Sequence, residues 1–279
     1  MAWSLSLDEV EQYRHDGCLL VQSVLADEDL RLLDGAVREV TEAAIGSHNQ
    51  DELIELEPDA CSSTRRVRRI RDPYDRHDAF RAVAHDARVL DRIESLIGGD
   101  LELHHSKLNM KPAQVGSRVA WHQDLAYYPH SNDSVLAVLI YIDDASERNG
   151  CIQVMPRVHD RYLEHTHPTG EFAGRIVEPI DAEPRALPAP AGSAIFLHGL
   201  TPHSSLPNRS DEDRRTLIFA YRAGDAFPLF YGLRTTIDEA RPCAVRGRRA
   251  RHARFGGPAP IVPEINDLTV SLYDIQASN

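Results

Sequence analysis

The residues best suited to chemistry in this sequence are a histidine and a carboxylate two positions apart, in Trp121-His122-Gln123-Asp124. On an extended backbone, residues i and i+2 point to the same face, so His122 and Asp124 can grip one metal ion together. A third ligand has to come from elsewhere in the chain. Gly192 to Leu197 reads as a buried strand, after which Gly199 and Pro202 turn the chain just before His203. His198, directly after that strand, is the rival. Two histidines and one carboxylate on one face of a metal leave positions open opposite, an arrangement suited to ferrous iron and oxygen chemistry. By itself an H-x-D triplet is a weak signal, because most histidines in folded proteins are satisfied or exposed. His104-His105 is a poor shared site, since adjacent strand residues point to opposite faces.

Something must position these groups. Ser6 and Glu9 have capping-box spacing, with Leu7, Val10 and Tyr13 recurring at helical intervals up to Gly17. Cys18-Leu19-Leu20-Val21 reads as a short buried strand. Asp27 to Ala44 carries Leu30, Leu33, Ala36, Val37 and Val40 on one helical face. Residues 46–64 are polar and irregular and are expected to form a loop, and Ala79 to Leu96 a helix stopping at Gly98-Gly99. After Asp100 the character changes. Leu101–Met110, Ser134–Ile142, Cys151–Met155, Ser193–Leu197 and Thr216–Tyr221 read as strands, separated by turn signals such as Lys111-Pro112 and Arg148-Asn149-Gly150. Helices first and many short strands afterwards predict a mainly β protein, a sandwich or barrel with helices packed outside. No repeat or low-complexity linker divides the chain. We expect one domain over 1–279, with helical support at about 1–100, the β core at about 101–225 and a C-terminal extension at about 226–279.

Composition narrows the function classes. Hydrophobic residues make up 42%, an ordinary globular share, and the apolar runs fall far short of the ~20 residues that a membrane helix needs. A formal charge of -12 argues against bulk affinity for nucleic acid, whose phosphates demand a basic face. Cys18, Cys61, Cys151 and Cys243 are scattered, with no C-x-x-C pair, and the N-terminus lacks a secretion-signal pattern. Both favour reduced thiols and a cytoplasmic location.

The pieces around the triplet resemble the phytanoyl-CoA dioxygenase family of iron- and 2-oxoglutarate-dependent oxygenases. They are Trp121 to Asp124; Asn149 to Pro156 with His159; Gly192-Ser193; Leu197 to Ser205; and Asn208-Arg209-Ser210 before Arg214-Arg215. Order and spacing hold from about residue 103 to 222. The resemblance implies a double-stranded β-helix (jelly roll), with Fe(II) held by His122, Asp124 and His203 and with 2-oxoglutarate and O2 as co-substrates. It places Arg214 against the far carboxylate of 2-oxoglutarate, a pairing that a planar guanidinium makes with two parallel hydrogen bonds. Arg215 is the competitor, and strand alternation lets only one of the two face inward. Ser205 matches a hydroxyl assisting the same carboxylate. Gln123, Lys107 and Asn109 are further candidates for lining the co-substrate pocket. Arg157 departs from the pattern, standing where the family commonly has glycine.

The implied reaction consumes 2-oxoglutarate and O2, releases succinate and carbon dioxide, and hydroxylates an unactivated C–H bond of a small molecule. Relatives that halogenate replace the carboxylate ligand with a small residue, so Asp124 predicts hydroxylation over halogenation. Desaturation, ring closure and epimerisation begin with the same hydrogen abstraction and stay open as alternatives. Family breadth makes a natural-product intermediate the expected substrate. Two rivals stand beside this reading: a cupin-like isomerase or hydrolase that ignores 2-oxoglutarate, and a non-catalytic barrel that binds a small molecule. Tyr127 and Tyr128 either stack on substrate or cover the barrel mouth, and Trp121 is expected in the core. The Arg65–Arg71 run is expected to be a solvated face, its alternative being contact with an anionic substrate, and Arg241–Arg254 a surface segment.

Overall fold

The computed structural model describes residues 2–45, 54–57, 66–166, 174–229 and 243–261. Among the described residues five helices come first, interleaved with short strands: α1 Leu7–Asp16, β1 Cys18–Val21, α2 Asp27–Ile45, β2 Ile54–Leu56, β3 Val67–Arg71, α3 Pro73–Arg76, α4 Asp78–Ala84 and α5 Ala87–Ile97. Strands then dominate: β4 Leu101–Lys111, β5 Val119–His122, β6 Val135–Tyr141, β7 Ile152–Val154, β8 Arg185–Ala186, β9 Ala194–His198, β10 His203–Ser205, β11 Arg214–Ala223 and β12 Ala244–Arg246. They form two antiparallel sheets. The larger runs β1-β9-β6-β11-β4-β3-β2, with β12 also on β4, and the smaller runs β5-β10-β7-β8.

The large sheet is buried on both faces, as β6 shows by having no exposed residue in Val135–Tyr141. Its outer face (Leu136, Val138, Ile140, Phe196, Leu217, Phe219) packs on the helices through Leu33, Val37, Phe80, Val89 and Ile93. Each fully buried leucine or phenylalanine of this layer contributes about 1.5–3 kcal/mol. Its inner face (Ala137, Leu139, Tyr141, Ile195) meets Ile152 and Val154 of the small sheet and Cys151 just before them. The functional cavity lies between the two inner faces.

Ser6 caps α1 through a reciprocal pair with Glu9, and Gly17 ends it at φ 75°, as the spacing predicts. The expected helix over Ala79–Leu96 is instead two, α4 and α5, because Asp86 turns its side chain onto the Arg88 N–H at 2.7 Å and starts a new helix. The expected loop at 46–64 contains strand β2; the rest of it, with Cys61 and Arg65, lies outside the described residues. The Arg65–Arg71 run is not a solvated face. Val67–Arg71 is strand β3, whose Arg68 and Arg69 are buried. Trp121 is half-buried and outside the core clusters. Cys18, Cys151 and Cys243 are free thiols. No helix among the described residues is long and apolar enough to cross a membrane.

Candidate active site

His122 ends β5, Asp124 begins a 3-10 turn and His203 begins β10, directly opposite His122 in the antiparallel register. Their ligand atoms all lie within 4.8 Å of one another, and among the described residues they are the only such trio. Each histidine turns Nδ1 toward a backbone carbonyl, His122 to Ala120 at 2.8 Å and His203 to Thr201 at 3.0 Å. The opposite ring nitrogens, Nε2, therefore face Asp124 Oδ1, each at 4.0 Å. That spacing is too wide for a hydrogen bond and narrow enough for one ion, bonded at about 2.1 Å, to touch both sides. Burial, and then the neighbouring His203, holds the His122 imidazolium well below the usual histidine range. The ring is thus the neutral ligand that a metal requires. A metal fits this donor set.

Two buried links aim the trio. Thr201 donates its hydroxyl to Gly17 O at 2.7 Å and offers its own carbonyl to the His203 ring, so the end of α1 sets His203. Gln123 is fully buried. Its amide donates to Leu200 O and Arg161 O and accepts from the Leu163 N–H, tying the two ligand-bearing turns together. Gln123 does not line the cavity, contrary to expectation; its side chain points to the other side of β5, as alternation between His122 and Asp124 requires.

The cavity beside the trio is lined by the inward residues of β4, β11 and β3. Lys111 pairs in register with Arg214, Asn109 with Thr216, Lys107 with Ile218 and His105 with Ala220. Arg214 is 2% exposed and lines the cavity, donating to Thr216 Oγ1 and, at 2.8 Å, to Gly150 O. Arg215 faces the other way, paired with Asp143 and Asp34, each at 2.6 Å. Of the two arginines, only Arg214 faces the cavity. Ser205, buried on β10, lines the same end. Asn109 accepts from Arg69 Nε at 3.0 Å, and Lys111 donates to Ser117 O and Leu206 O. A guanidinium, hydroxyls and an asparagine at one end of the cavity suit a dicarboxylate such as 2-oxoglutarate.

Sequence reasoning missed His105, Lys111 and Glu57 as lining residues, whereas Arg68 and Arg69, for which contact with an anionic substrate is the alternative expectation, do line the cavity. The signal existed for two of them: His105 and Lys111 share the i+2 phase of Lys107 and Asn109. The adjacent pair His104-His105 breaks the alternation rule. The register steps from Ala220↔His105 to Tyr221↔Leu103, so His104 is an extra residue, a β-bulge. Both rings consequently pack on Tyr128, with centroids 4.9 Å away. Tyr128 lines the cavity, whereas Tyr127 donates to Gly174 O. His198 lies apart from the trio, against Asp133 and His159. Of the second basic segment, Arg246 pairs with Asp91 and Glu94 and Arg254 with Asp225; Arg241 lies outside the described residues.

Residues 13–216 match the family described as Phytanoyl-CoA dioxygenase (PhyH). The chain belongs to the phytanoyl-CoA dioxygenase family. A probable alpha-ketoglutarate-dependent hypophosphite dioxygenase of Stutzerimonas stutzeri is 32% identical over 80% of each chain. The L-proline trans-4-hydroxylase of Streptomyces griseoviridis is 27% identical, over 77% of this chain and 85% of that one. Among solved structures, EctD from S. alaskensis with 2-oxoglutarate and 5-hydroxyectoine superposes with a TM-score of 0.67 at 19% identity, covering 92% of this chain and 88% of that one, which establishes a shared fold. This member of the family is an iron- and 2-oxoglutarate-dependent dioxygenase that uses O2 to hydroxylate a small molecule. The readings as a non-catalytic barrel or a 2-oxoglutarate-independent isomerase are set aside.

Proposed function

We propose that His122, Asp124 and His203 hold the ferrous iron and that Arg214, assisted by Ser205, binds the far carboxylate of 2-oxoglutarate. The substrate then loses a hydrogen from an unactivated C–H bond and gains a hydroxyl. The observation that carries this reading is the convergence of three ligand atoms and one buried, inward-facing arginine on a single cavity. When bound, iron with 2-oxoglutarate and O2 supplies the oxidising power. The protein's part is positional. The Ala120 and Thr201 carbonyls hold both imidazoles with Nε2 inward, and Arg214 sets the co-substrate's orientation. Leu139, Ile152 and Ile218 give the cavity an apolar side that keeps water from the reacting bond. Asp124 fills the position that halogenating relatives leave open, which favours hydroxylation.

The two facing antiparallel sheets support a jelly-roll core within one domain spanning 1–279, and we place the protein in the cytoplasm on its thiols. The relatives are named for hypophosphite, L-proline, methylphosphonate and ectoine. We assign the substrate to that class of small polar metabolites rather than to bulkier natural-product intermediates. The test is anaerobic titration with ferrous iron and 2-oxoglutarate, watching for the visible charge-transfer band of the chelate. The band is expected in the wild type and absent in His203→Ala. A band that persists in His203→Ala removes His203 from the metal.

A further inference from the structure

One cation in the cavity has no task in holding iron or the far carboxylate of 2-oxoglutarate. Lys107 lines the cavity, yet among the described residues its ammonium has no hydrogen-bond acceptor and no ion pair. It stands over the Tyr128 ring, 5.9 Å from the centroid. In register, Lys107 lies between Arg71 of β3 and Ile218 of β11, with Leu139 of β6 next beyond Ile218. Beside Ile218 and Leu139, and with Asp124 as the carboxylate that most favours its charge, an ammonium that makes no hydrogen bond is a local conflict of the kind that marks functional positions. Arg214 stands at the level of Lys111, four residues farther along β4, which is about 13 Å of strand. The cavity therefore has an Arg214 end and a Lys107 end. Arg69, between them at the level of Asn109, and Arg68 and Lys111 also line it, but each of these three donates to a protein acceptor. At its own end, Lys107 is joined by His105 two residues away on the same face, also packed on Tyr128. Burial keeps His105 neutral, so its ring carries a single N–H. Desolvation disfavours the Lys107 ammonium, and an anion placed against it would reverse that.

We propose that Lys107 and His105 bind an oxyanion carried by the substrate, making the substrate a small carboxylate, phosphonate or phosphinate. This rests on the iron and 2-oxoglutarate reading. The same ammonium chemistry would suit the near carboxylate of 2-oxoglutarate, and the experiment separates the two sources.

The iron- and 2-oxoglutarate-loaded protein is titrated anaerobically with acetate and methylphosphonate, and with their neutral counterparts acetamide and methanesulfonamide. Binding is read from the shift of the charge-transfer band. Saturable shifts are expected from the anions and not from the neutral molecules. Lys107→Met is expected to weaken anion binding roughly 10- to 100-fold, the loss of one charge-assisted contact, while 2-oxoglutarate affinity stays within about twofold. Lys107→Arg should restore most of it. The proposal is overturned if anions and neutral molecules behave alike, if no anion shifts the band, or if Lys107→Met weakens 2-oxoglutarate itself. Should the wild type show no band, it is the iron and co-substrate reading that fails. The phosphorus-31 line width of methylphosphonate, which needs no colour, then still decides whether binding depends on Lys107.

Discussion

Replacing Arg214 with methionine removes the guanidinium but keeps most of the side chain's volume, at a position 2% exposed. If Arg214 binds the far carboxylate of 2-oxoglutarate, the variant leaves that carboxylate buried without its partner. Truncating one member of a buried charge pair costs about 2–5 kcal/mol, which at 1.4 kcal/mol per tenfold is roughly 30- to 4,000-fold in co-substrate affinity. The Gly150 carbonyl, which accepts from Arg214 at 2.8 Å, also loses a donor, adding about 1–3 kcal/mol of destabilisation. Arg215→Met is the internal control, because its guanidinium pairs outward with Asp34 and Asp143. It should lower stability by about 1 kcal/mol and leave co-substrate affinity alone. The assay is succinate formation against 2-oxoglutarate concentration, with urea denaturation run on both variants. The expected split is a large rise in KM for 2-oxoglutarate in Arg214→Met only. If Arg214→Met stays folded with KM within about threefold of wild type, or if Arg215→Met carries the larger KM effect, the assignment is wrong.

Further outcomes follow from the same geometry. Arg157 is exposed and holds φ 65°, so Arg157→Gly should raise stability by about 0.5–1 kcal/mol, read as a higher melting temperature. Gly17→Ala puts a Cβ 2.2 Å from Thr201 Oγ1 at φ 75° and should destabilise by more than about 2 kcal/mol while loosening iron, since Thr201 also holds His203. Chemical denaturation and iron titration of that variant check both. Burial pushes the His130 pKa from 6.5 down to about 3 and that of His198 down to about 4. Below pH 6.5 the unfolded chain takes up protons that the folded state refuses, so stability falls from pH 6.5 toward pH 4, by up to about 1.4 kcal/mol per pH unit for each residue. His130→Phe should flatten that dependence; an unchanged pH profile would show that His130 takes no part in it.

The H-x-D triplet is legible in the residue order alone because the i, i+2 relation across an extended residue such as Gln123 is local geometry, and the spacing from His203 to Arg214 carries the family pattern. Helix α1 is legible for a similar reason, since Ser6, Glu9 and Gly17 satisfy its own backbone ends. The break at Asp86 is not, because Asp86 competes with helix continuation only through a side-chain hydrogen bond that no periodicity reveals. Nor is the burial of Arg68 and Arg69, whose charge suggests solvent; the pairing of β3 with β4 is what places them beside the cavity.

Residue order settles the chemistry on offer: two histidines, a carboxylate and two adjacent arginines on strands whose alternation leaves room for only one inside. Tertiary packing settles which arginine that is, because Asp34 on α2 and Asp143 after β6 claim Arg215 on the outer face. It also makes Gln123 a brace rather than a binding group, and brings His104 and His105 together on Tyr128 through a bulge. It leaves Lys107 facing the cavity with no acceptor among the described residues. Each of these depends on which strand lies next to which, a long-range pairing that local propensity does not encode.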